Sequence, residues 1–428
     1  MADRGIDTDE TTAEYLERKR AEIDLVRSYL GEPTGAGCIT VAALVEEKRR
    51  LRGRLWARAI EGAAGESSLG VAGPSVGGLR LDWKYRRYDL RARARRFLEW
   101  VHPRPLPPHL AVGVLAGSGM SAVAAALFAL DRQLTGERRL AAAIDTYFET
   151  AQLARVWLGR LALTEGLGNA RPGDVLLLDS IARREPFAAL SDRALDGLAA
   201  VVCDTTCWDA RGDEVAFAIE RCVSAGVPLL LVRSHLKLDC LGLEHGRLGS
   251  AVVVLPRPAT RAQIAFSRAL RLRMLDFLAK SGATVGPEGL FPLAHDPDFL
   301  RLNARRNALL RRNNQRAAEA LAGRLSERAT TQVAGYHHGC FLLLRPLVAT
   351  EGACFTAADS ICRTLGAAGI EARRAPSFAY DHVAITIVAG AQYQSAASLR
   401  ISLPDLPATE IERAVEVIAE QAAALDPA

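Results

Sequence analysis

The predicted fold rests on residues 228–237, PLLLVRSHLK, in which an apolar run is followed by a lysine. The run after Pro228 is rich in leucine and valine, which is typical of a strand buried inside a parallel sheet. Lysine is rare in this chain and occurs at positions 19, 48, 84, 237 and 280. An amine at a strand end in low-dielectric surroundings can be neutral and nucleophilic. Lys237 is therefore a candidate nucleophile, and a surface lysine is the alternative.

Short apolar runs of the same kind alternate with helical segments between about residues 110 and 260. Each run is bounded by glycine, proline or aspartate. Besides the run before Lys237, they are AVGVLA (111–116), DVLLLD (174–179), AAVVCD (199–204) and SAVVVL (250–255). Such runs are typical of mostly parallel strands covered by helices on both faces, so an α/β fold is predicted.

Polar residues follow two of these runs. Asp204 ends AAVVCD, and open parallel sheets bind their ligands at the carboxyl ends of the strands. Residues 117–121, GSGMS, lie between a predicted strand and a predicted helix. Small residues there let backbone N–H groups approach a phosphate, and the helix N-terminus adds a favourable dipole. The stretch GSGMSA also satisfies the pattern GxGxxA, so the dinucleotide-binding loop of an NAD-dependent dehydrogenase stays open as an alternative.

The chain divides into three predicted parts. Residues 1–80 form a helical N-terminal arm, because residues 11–30 and 41–62 have helical spacing and a loop rich in glycine and serine follows. Residues 81–290 form a large domain that contains the sheet. Residues 291–428 form a smaller C-terminal domain, in which HHGCFLLLRP, HVAITIV and SLRISLP are predicted strands.

Composition and charge exclude several classes of protein. The formal net charge is only +5, from arginines distributed over 428 residues, so we expect no nucleic-acid partner. The eight cysteines have no paired CxxC spacing, which predicts free thiols in a reducing cytoplasm and no metal site. The N-terminus lacks an apolar signal region. Glycines interrupt the apolar residues 110–130, which favours strand, turn and helix over a membrane span. We therefore expect a cytoplasmic protein without a membrane partner.

Six short elements follow one another along the chain. They are YRR at 85–87, SGM at 118–120, Tyr147 in DTYFET, Asp204 in CDTT, SHLK at 234–237 and Arg400 in LRISLP. Together they resemble motifs of the Cys/Met-metabolism family of fold-type-I pyridoxal-phosphate-dependent enzymes, which includes cystathionine synthases and methionine lyases. The resemblance covers about residues 83–403. It implies an aminotransferase-like fold type I, with a mostly parallel seven-stranded sheet between helices and a smaller α+β C-terminal domain.

The resemblance also implies pyridoxal 5′-phosphate as the cofactor, and it suggests which residues bind the phosphate group. Tyr85 and Arg87 would reach the phosphate of a cofactor bound to a neighbouring subunit, which implies a homodimer or homotetramer. The other residues that would bind the phosphate are Ser118, Gly119, Met120 and Ser234.

The remaining matches imply catalytic and substrate-binding roles. Lys237 would form the Schiff base, and Asp204 would pair with the pyridine nitrogen. Tyr147 would stack on the ring and assist proton transfer. Arg400 would bind the substrate α-carboxylate, with help from Ser377 in APSFAY.

The sequence departs from the family near the predicted Schiff-base lysine. Leu236 stands where the family has a threonine, which removes one hydroxyl near the phosphate. The stretch LDCLGLEHGRLGS (238–250) replaces the family's glycine, histidine, serine and aspartate residues at that place. His235 and His245 are candidate substrate contacts or structural residues. These departures bear on the identity of the substrate more than on the identity of the cofactor.

The resemblance implies γ-elimination or γ-replacement through a vinylglycine-type intermediate, on an amino acid with a γ-leaving group. S-adenosylmethionine and an O-acylhomoserine are candidate substrates. A divergent biosynthetic member could form a C–C bond with a second reactant such as a nicotinamide nucleotide. The alternatives are an aminotransferase or β-lyase on the same fold, the NAD-dependent dehydrogenase, and a catalytically inactive relative.

Overall fold

The computed structural model describes twelve segments of the chain, which are residues 10–35, 40–64, 75–76, 79–80, 111–182, 190, 195–255, 258–285, 289–325, 331–346, 350–388 and 397–423. Contacts divide the chain into two compact units. We call Gly53–Leu236 with His245–His295 the central unit. The terminal unit comprises Met1–Arg52, Lys237–Glu244 and Asp296–Ala428.

The central unit contains a two-stranded hairpin and a seven-stranded sheet. The hairpin strands are β1 Ser75–Val76 and β2 Leu79–Arg80. The strands of the larger sheet are β3 Ala111–Ala116, β4 Arg138–Ala142, β5 Leu161–Glu165, β6 Val175–Asp179, β7 Ala200–Asp204, β8 Leu229–Ser234 and β9 Gly249–Val254. Their order is β3-β9-β8-β7-β6-β4-β5. β5, β4, β6, β7 and β8 pair in parallel, whereas β9 is antiparallel to β8 and to β3. The predicted mostly parallel seven-stranded sheet is confirmed.

Two strands of this sheet do not belong to the predicted apolar runs. β4 begins with Arg138 and Arg139. β5 lies at the sheet edge, and only its first residue, Leu161, is buried. β6 and β7 have continuous buried runs because they lie inside the sheet. The pattern that identifies a central parallel strand is therefore absent from β4 and β5.

Four helices of the central unit are α3 Gly119–Gln133, α4 Phe148–Trp157, α5 Asp213–Ser224 and α6 Arg261–Lys280. α3 and α6 contact each other, and α3 lies on β8 and β9. β3 and α3 confirm the strand, turn and helix predicted for residues 110–130, although the helix begins at Gly119 rather than after the turn. Within the described segments, every helix is too short or too polar to cross a bilayer.

The terminal unit contains a five-stranded sheet and the remaining helices. Its strands are β10 Thr331–Ala334, β11 Leu342–Pro346, β12 Ala372–Arg374, β13 Val383–Val388 and β14 Ser398–Ser402, in the order β10-β11-β14-β13-β12. Only β12 and β13 pair in parallel among them. The helices are α1 Thr12–Leu30, α2 Val41–Ala64, α7 Pro297–Leu325, α8 Glu351–Ala367 and α9 Ala408–Ala423, with α2 extending past Arg52 into the central unit.

The compact units group residues differently from the three predicted parts, whose boundaries remain predictions. α1 begins with a capping box in which Thr11 and Glu14 satisfy each other's backbone N–H groups. Tyr15 lies in the hydrophobic core of the terminal unit together with Leu321 and Ile401. The first helix of the arm is therefore part of the terminal unit.

A cluster of eight buried charged side chains also holds the arm in this unit. Lys19 Nζ lies 2.9 Å from Asp381 and 2.9 Å from Asp405, and Arg18 lies 2.7 Å from Asp405. Burial alone raises the pKa of Asp381, but the charges of Lys19 and two other cations hold the pKa of that carboxyl well below its usual range. We call these side chains the arm cluster: Glu10, Arg18, Lys19, Glu22, Lys48, Arg306, Asp381 and Asp405.

We predict that Asp405→Ala lowers the free energy of unfolding by about 3–5 kcal/mol, because it leaves buried cations without their counter-charge. Urea denaturation at neutral pH measures the change. Asp359→Ala is the control, because Asp359 pairs with Arg374 at the surface and its loss should cost less than about 0.5 kcal/mol. Similar small losses in both variants would show that the buried cations do not depend on Asp405 for their counter-charge.

Candidate functional site

The turn between β3 and α3 packs closely against the end of β8. A Cβ atom at Gly119 would lie 2.6 Å from the Cβ atom of Ser234. A Cβ atom at Gly249, the first residue of β9, would lie 2.2 Å from the carbonyl oxygen of Ser118. Glycine is thus required at both positions, because any side chain would collide with the neighbouring segment. The fold brings Ser118, Gly119 and Ser234 together within the central unit.

This junction has the chemistry of an anion site. Ser118 caps α3, and its hydroxyl accepts a hydrogen bond from the N–H of Ser121 at 3.0 Å. The first N–H groups of a helix have no carbonyl partner within that helix, and they give its N-terminus a partial positive charge. The hydroxyl of Ser234 lies beside the same turn, 3.2 Å from the position that a Cβ atom at Gly119 would occupy. Hydroxyls and a helix N-terminus together suit a phosphate group.

The predicted residue Met120 lies on α3, and the predicted residue Tyr147 immediately precedes α4, which contacts α3. The hydroxyl of Thr150, in α4, donates to the sulfur of Met120 at 3.9 Å. Tyr147 is the residue that precedes α4, and its ring centroid lies 5.0 Å from that of Phe148. The first turn of α4 therefore contacts the start of α3 through Thr150 and Met120.

Asp204 lies at the carboxyl end of β7, between strands that also end in polar residues. Its carboxylate accepts a hydrogen bond from the N–H of Thr206 at 2.8 Å. The hydroxyl of Thr206 in turn accepts a hydrogen bond from the N–H of Ser234 at 3.0 Å. On the other side, Asp204 is the register partner of Asp179. β6, β7 and β8 are therefore neighbouring strands whose last residues are Asp179, Asp204 and Ser234.

Asp179 was not among the predicted site residues. It is buried, and it accepts hydrogen bonds from the hydroxyl of Thr146 at 2.9 Å and from the N–H of Tyr147 at 2.8 Å. Burial and the nearby charge of Asp204 raise the pKa of Asp179 to about 7. The signal for it was present, because DVLLLD ends in aspartate in the same way as AAVVCD.

The two histidines near the lysine are buried in the central unit. His235 Nε2 lies 2.8 Å from the hydroxyl oxygen of Ser250. The ring centroid of His245 lies 5.6 Å from that of Trp56 and 5.6 Å from that of Phe291. These contacts favour the structural alternative for both histidines.

Lys237 begins the segment of the terminal unit that follows β8 along the chain. Its amine lies 4.5 Å from the ring centroid of Phe378, which is buried. The ring of Phe378 lies 5.5 Å from that of Phe341, and the guanidinium carbon of Arg400 lies 5.4 Å from the ring centroid of Phe341. An aromatic face favours a cation above it. Two phenylalanines therefore link the candidate nucleophile to the predicted carboxylate-binding arginine.

Arg400 lies on β14 and donates to the carbonyl oxygen of Pro376 at 2.6 Å. A guanidinium has five donors in a planar fork that matches a carboxylate. Ser377 is partly buried and hydrogen-bonded to Tyr380. Burial, together with the charge of Glu244, raises the pKa of Tyr380 to about 12. The hydroxyl of Tyr380 is therefore protonated and able to donate at neutral pH.

The predicted residues thus fall into two groups and a remainder. Ser118, Gly119, Met120, Tyr147, Asp204 and Ser234 lie in the central unit, and Lys237, Ser377 and Arg400 lie in the terminal unit. Tyr85 and Arg87 lie outside the described residues. The roles of all eleven residues remain predictions.

The strand order contradicts the dinucleotide-binding alternative. In that fold, the strand before the glycine-rich turn lies inside a parallel sheet. β3, which precedes GSGMSA, is instead an edge strand and pairs antiparallel with β9. The second glycine of the GxGxxA pattern is required here because Gly119 passes close to Ser234. The alternative of an NAD-dependent dehydrogenase is therefore wrong for this fold.

The raised pKa of Asp179 predicts a pH dependence of stability. Its folded-state pKa lies above the ordinary value of 3.8, so between about pH 4 and pH 7 the folded chain retains a proton that the unfolded chain has lost. The contribution of this group to stability therefore falls as pH rises through that window. The free energy of unfolding of Asp179→Asn, relative to the unmodified protein, should increase from about pH 4.5 to about pH 7.5. Urea denaturation at several pH values measures it.

Asp276→Asn is the control for this measurement, because Asp276 is exposed and pairs with Lys280 on the surface. Its effect should change little over the same range of pH. A pH-independent effect of Asp179→Asn would show that the carboxyl has an ordinary pKa in the folded protein.

Two solved structures are similar to this chain over most of its length. Both are of cystathionine gamma synthase from Xanthomonas oryzae pv. oryzae, one in complex with aminoacrylate and cysteine and one in complex with cystathionine. They are 16% and 17% identical to this chain, and each comparison has a TM-score of 0.50 and covers 87% of this chain and 99% of the other. No protein-family model and no curated protein sequence matches the chain. The structural similarity and the strand order agree that the chain has the aminotransferase-like fold type I.

Proposed function

We propose that the protein is a pyridoxal 5′-phosphate-dependent enzyme that acts on an amino acid with a γ-leaving group. One observation carries the proposal, which is the close approach of the Ser118–Gly119 turn to Ser234. It joins a helix N-terminus and two hydroxyls at the end of β8, three residues before Lys237. An anion site so close in sequence to a candidate amine nucleophile suits a cofactor that has both a phosphate and an aldehyde.

The residues at the strand ends fit this cofactor. Ser118, Gly119 and Ser234 would hold its phosphate, and Met120 supports the start of α3. Asp204 would hold a proton on the pyridine nitrogen, because a carboxylate stabilises the protonated ring. When bound, the cofactor withdraws electrons from the substrate and so makes its Cα proton acidic.

Lys237 would hold the cofactor through its aldehyde group in the absence of substrate. Once the substrate amino group has taken that place, the freed amine of Lys237 would move a proton at the substrate Cα. Three peptide units separate it from Ser234, so their Cα atoms lie no more than about 11 Å apart. The ring of Phe378 supports the amine in the terminal unit. Tyr147 would lie against the cofactor ring and assist proton transfer.

The substrate carboxylate is proposed to bind Arg400, with Ser377 beside it. The contact of Arg400 with the carbonyl of Pro376 limits the orientations of the guanidinium. Tyr85 and Arg87 are proposed to bind the phosphate of a cofactor in a neighbouring subunit. The active form would then be a homodimer or homotetramer.

The γ-chemistry is proposed from the motif resemblance. The enzyme of Xanthomonas oryzae pv. oryzae, whose fold this chain shares, is a cystathionine gamma synthase that was solved with cystathionine. Leu236 and the divergent stretch 238–250 suggest a different substrate here. S-adenosylmethionine and an O-acylhomoserine are the proposed candidates, with a second reactant such as a nicotinamide nucleotide if a C–C bond is formed. An aminotransferase or β-lyase on this fold is the alternative.

The cofactor assignment predicts a covalent link at one lysine. After borohydride treatment of the protein with pyridoxal phosphate, the added mass should lie on the peptide that contains Lys237. Lys237→Met should abolish this product and lower turnover on the order of 10³-fold or more, because the proton-transferring amine is lost. Lys280→Met is the control, because Lys280 is exposed and should not affect either result. Cofactor fixed at another lysine, or nowhere, would overturn the assignment.

The reaction assignment predicts release of the γ-substituent. The test incubates the enzyme with an O-acylhomoserine, cystathionine, S-adenosylmethionine and, as a control, 2-aminobutyrate, which lacks a γ-leaving group. At least one of the first three should release its γ-group, with no accumulation of pyridoxamine phosphate. Accumulation of pyridoxamine phosphate together with a keto acid would instead identify an aminotransferase.

A further inference from the structure

The segment that carries Lys237 is held by hydrogen bonds from α2 and α7. Asn303 and Asn307, on α7, donate to the carbonyl oxygen of Leu238 at 2.7 and 2.8 Å. The N–H of Leu241 donates to the side-chain oxygen of Asn303 at 3.1 Å. The amine of Lys48, on α2, donates to the carbonyl oxygen of Leu241 at 2.5 Å. The start of the segment is therefore held by α7, and its middle by both α7 and a cation of the N-terminal arm.

The segment that carries Phe378 is held by Arg306 of the arm cluster. The guanidinium of Arg306 donates to the carbonyl oxygens of Ala379 and Tyr380 at 2.8 and 3.1 Å. Arg306 is fully buried, and its Nε atom also lies 3.3 Å from Asp381. Phe378, whose ring lies under the amine of Lys237, is therefore followed in the chain by two residues whose carbonyl groups accept hydrogen bonds from a buried cation.

Both segments contain strained backbone at the points where the cluster contacts them. Leu241 has φ 51° and Ala379 has φ 65°, which is the left-handed region that residues with a side chain rarely adopt. Such a conformation persists only where surrounding contacts impose it. The carbonyl of Leu241 accepts from Lys48, and the carbonyl of Ala379 accepts from Arg306. The cluster therefore supplies contacts that hold the two strained positions.

Asp381 connects the two holding contacts. Its carboxylate lies 2.5 Å from Lys48 and 2.9 Å from Lys19, both of the arm, and 3.3 Å from Arg306. Asp381 is also only three residues after Phe378. A shift of the arm would therefore be transmitted, through one carboxylate, to the segment that carries Lys237 and to the segment that carries Phe378.

We infer that Lys48 and Arg306 are positioning residues that fix the Lys237 amine over the ring of Phe378. The N-terminal arm would thus act on the reactive amine through the arm cluster, without contacting the substrate. Buried ion pairs often add little net stability compared with apolar packing, so a specific geometry is a reason for such a cluster to exist. The inference rests on the proposed function in that Lys237 is taken as the reactive amine.

The test compares three variants of the full-length protein. Lys48→Met removes the donor to Leu241 and leaves the cluster with one carboxylate too many. Lys48→Met combined with Asp381→Asn removes one charge of each sign, so that the balance of charge is kept while Leu241 still lacks its donor. Arg50→Met is the matched control, because Arg50 is also on α2 but pairs with Glu32 and Glu47 at the surface.

The measured quantity is the rate of reductive methylation of Lys237 by formaldehyde and cyanoborohydride. Protein is first freed of any bound aldehyde with hydroxylamine, and the rate is read by peptide mass spectrometry relative to the exposed Lys280 in the same sample. Without its fixed contacts, the amine should reach solvent more often. The rate should rise at least fivefold in Lys48→Met and in the double variant, and stay within twofold in Arg50→Met.

Urea denaturation separates positioning from stability. The double variant should recover part of the stability lost in Lys48→Met, yet keep the raised methylation rate. A methylation rate that returns to the original value in the double variant would make the cluster merely structural and overturn the inference. If Lys48→Met does not fold, the methylation rate of the double variant still tests the inference.

Methylation requires no cofactor, so the two proposals can fail separately. A raised rate in a protein that forms no borohydride-stable product with pyridoxal phosphate would refute the proposed function and support the positioning contacts. Unchanged methylation in a protein that does form this product would refute the inference alone. In the active enzyme, the double variant should lower kcat about tenfold or more with little change in KM, because misplacing a catalytic group affects the chemical step.

Discussion

Asp381 and Asp405 are buried carboxylates on which the organisation of the terminal unit depends. Each is shared by several cations, with Lys19 at 2.9 Å from both. Taking an ion out of water costs several kcal/mol even after relaxation, so these groups persist only where their partners are fixed. The arm and α7 supply those partners, and the cluster has four cations and four carboxylates. The part of the N-terminal arm before Gly53 is therefore an integral part of this unit, and the conformations of the neighbouring segments depend on it.

The central unit is organised by a different constraint, which is the convergence of strand ends in a parallel sheet. Asp179, Asp204 and Ser234 end three neighbouring strands, and the turn at Gly119 packs on the last of them. Because side chains are excluded at positions 119 and 249, the backbone of the turn comes close to β8 at Ser234 and to β9 at Gly249. A pair of carboxylates and the turn that we propose to bind a phosphate therefore lie at the carboxyl ends of neighbouring strands. The proposed chemistry uses both, since a phosphate and a basic ring nitrogen need opposite charges around them.

Much of the central fold could be predicted from the sequence, because its signals are local. The runs before Asp204 and Ser234 are buried strands, and a short turn that ends at the capping residue Ser118 joins β3 to a helix. β4 and β5 were not recognised, because arginines and partly exposed residues interrupt their apolar pattern. The glycine pattern alone allowed a dinucleotide-binding fold as well. Only the pairing of β3 with β9 decided between these folds, since a motif does not specify its strand's neighbours.

The sequence by itself determined the α/β class, the mostly parallel sheet, and the candidate residues Ser118, Asp204, Lys237 and Arg400. These follow from periodicity, from turn residues and from motif order, which are properties of short segments. Tertiary structure alone decided that Lys19 is buried against Asp381, 362 positions away in the chain. It also decided that Asp179 lies beside Asp204. A charged residue in a helix reads as solvent-exposed in any local pattern, because its burial depends on distant partners that neutralise it.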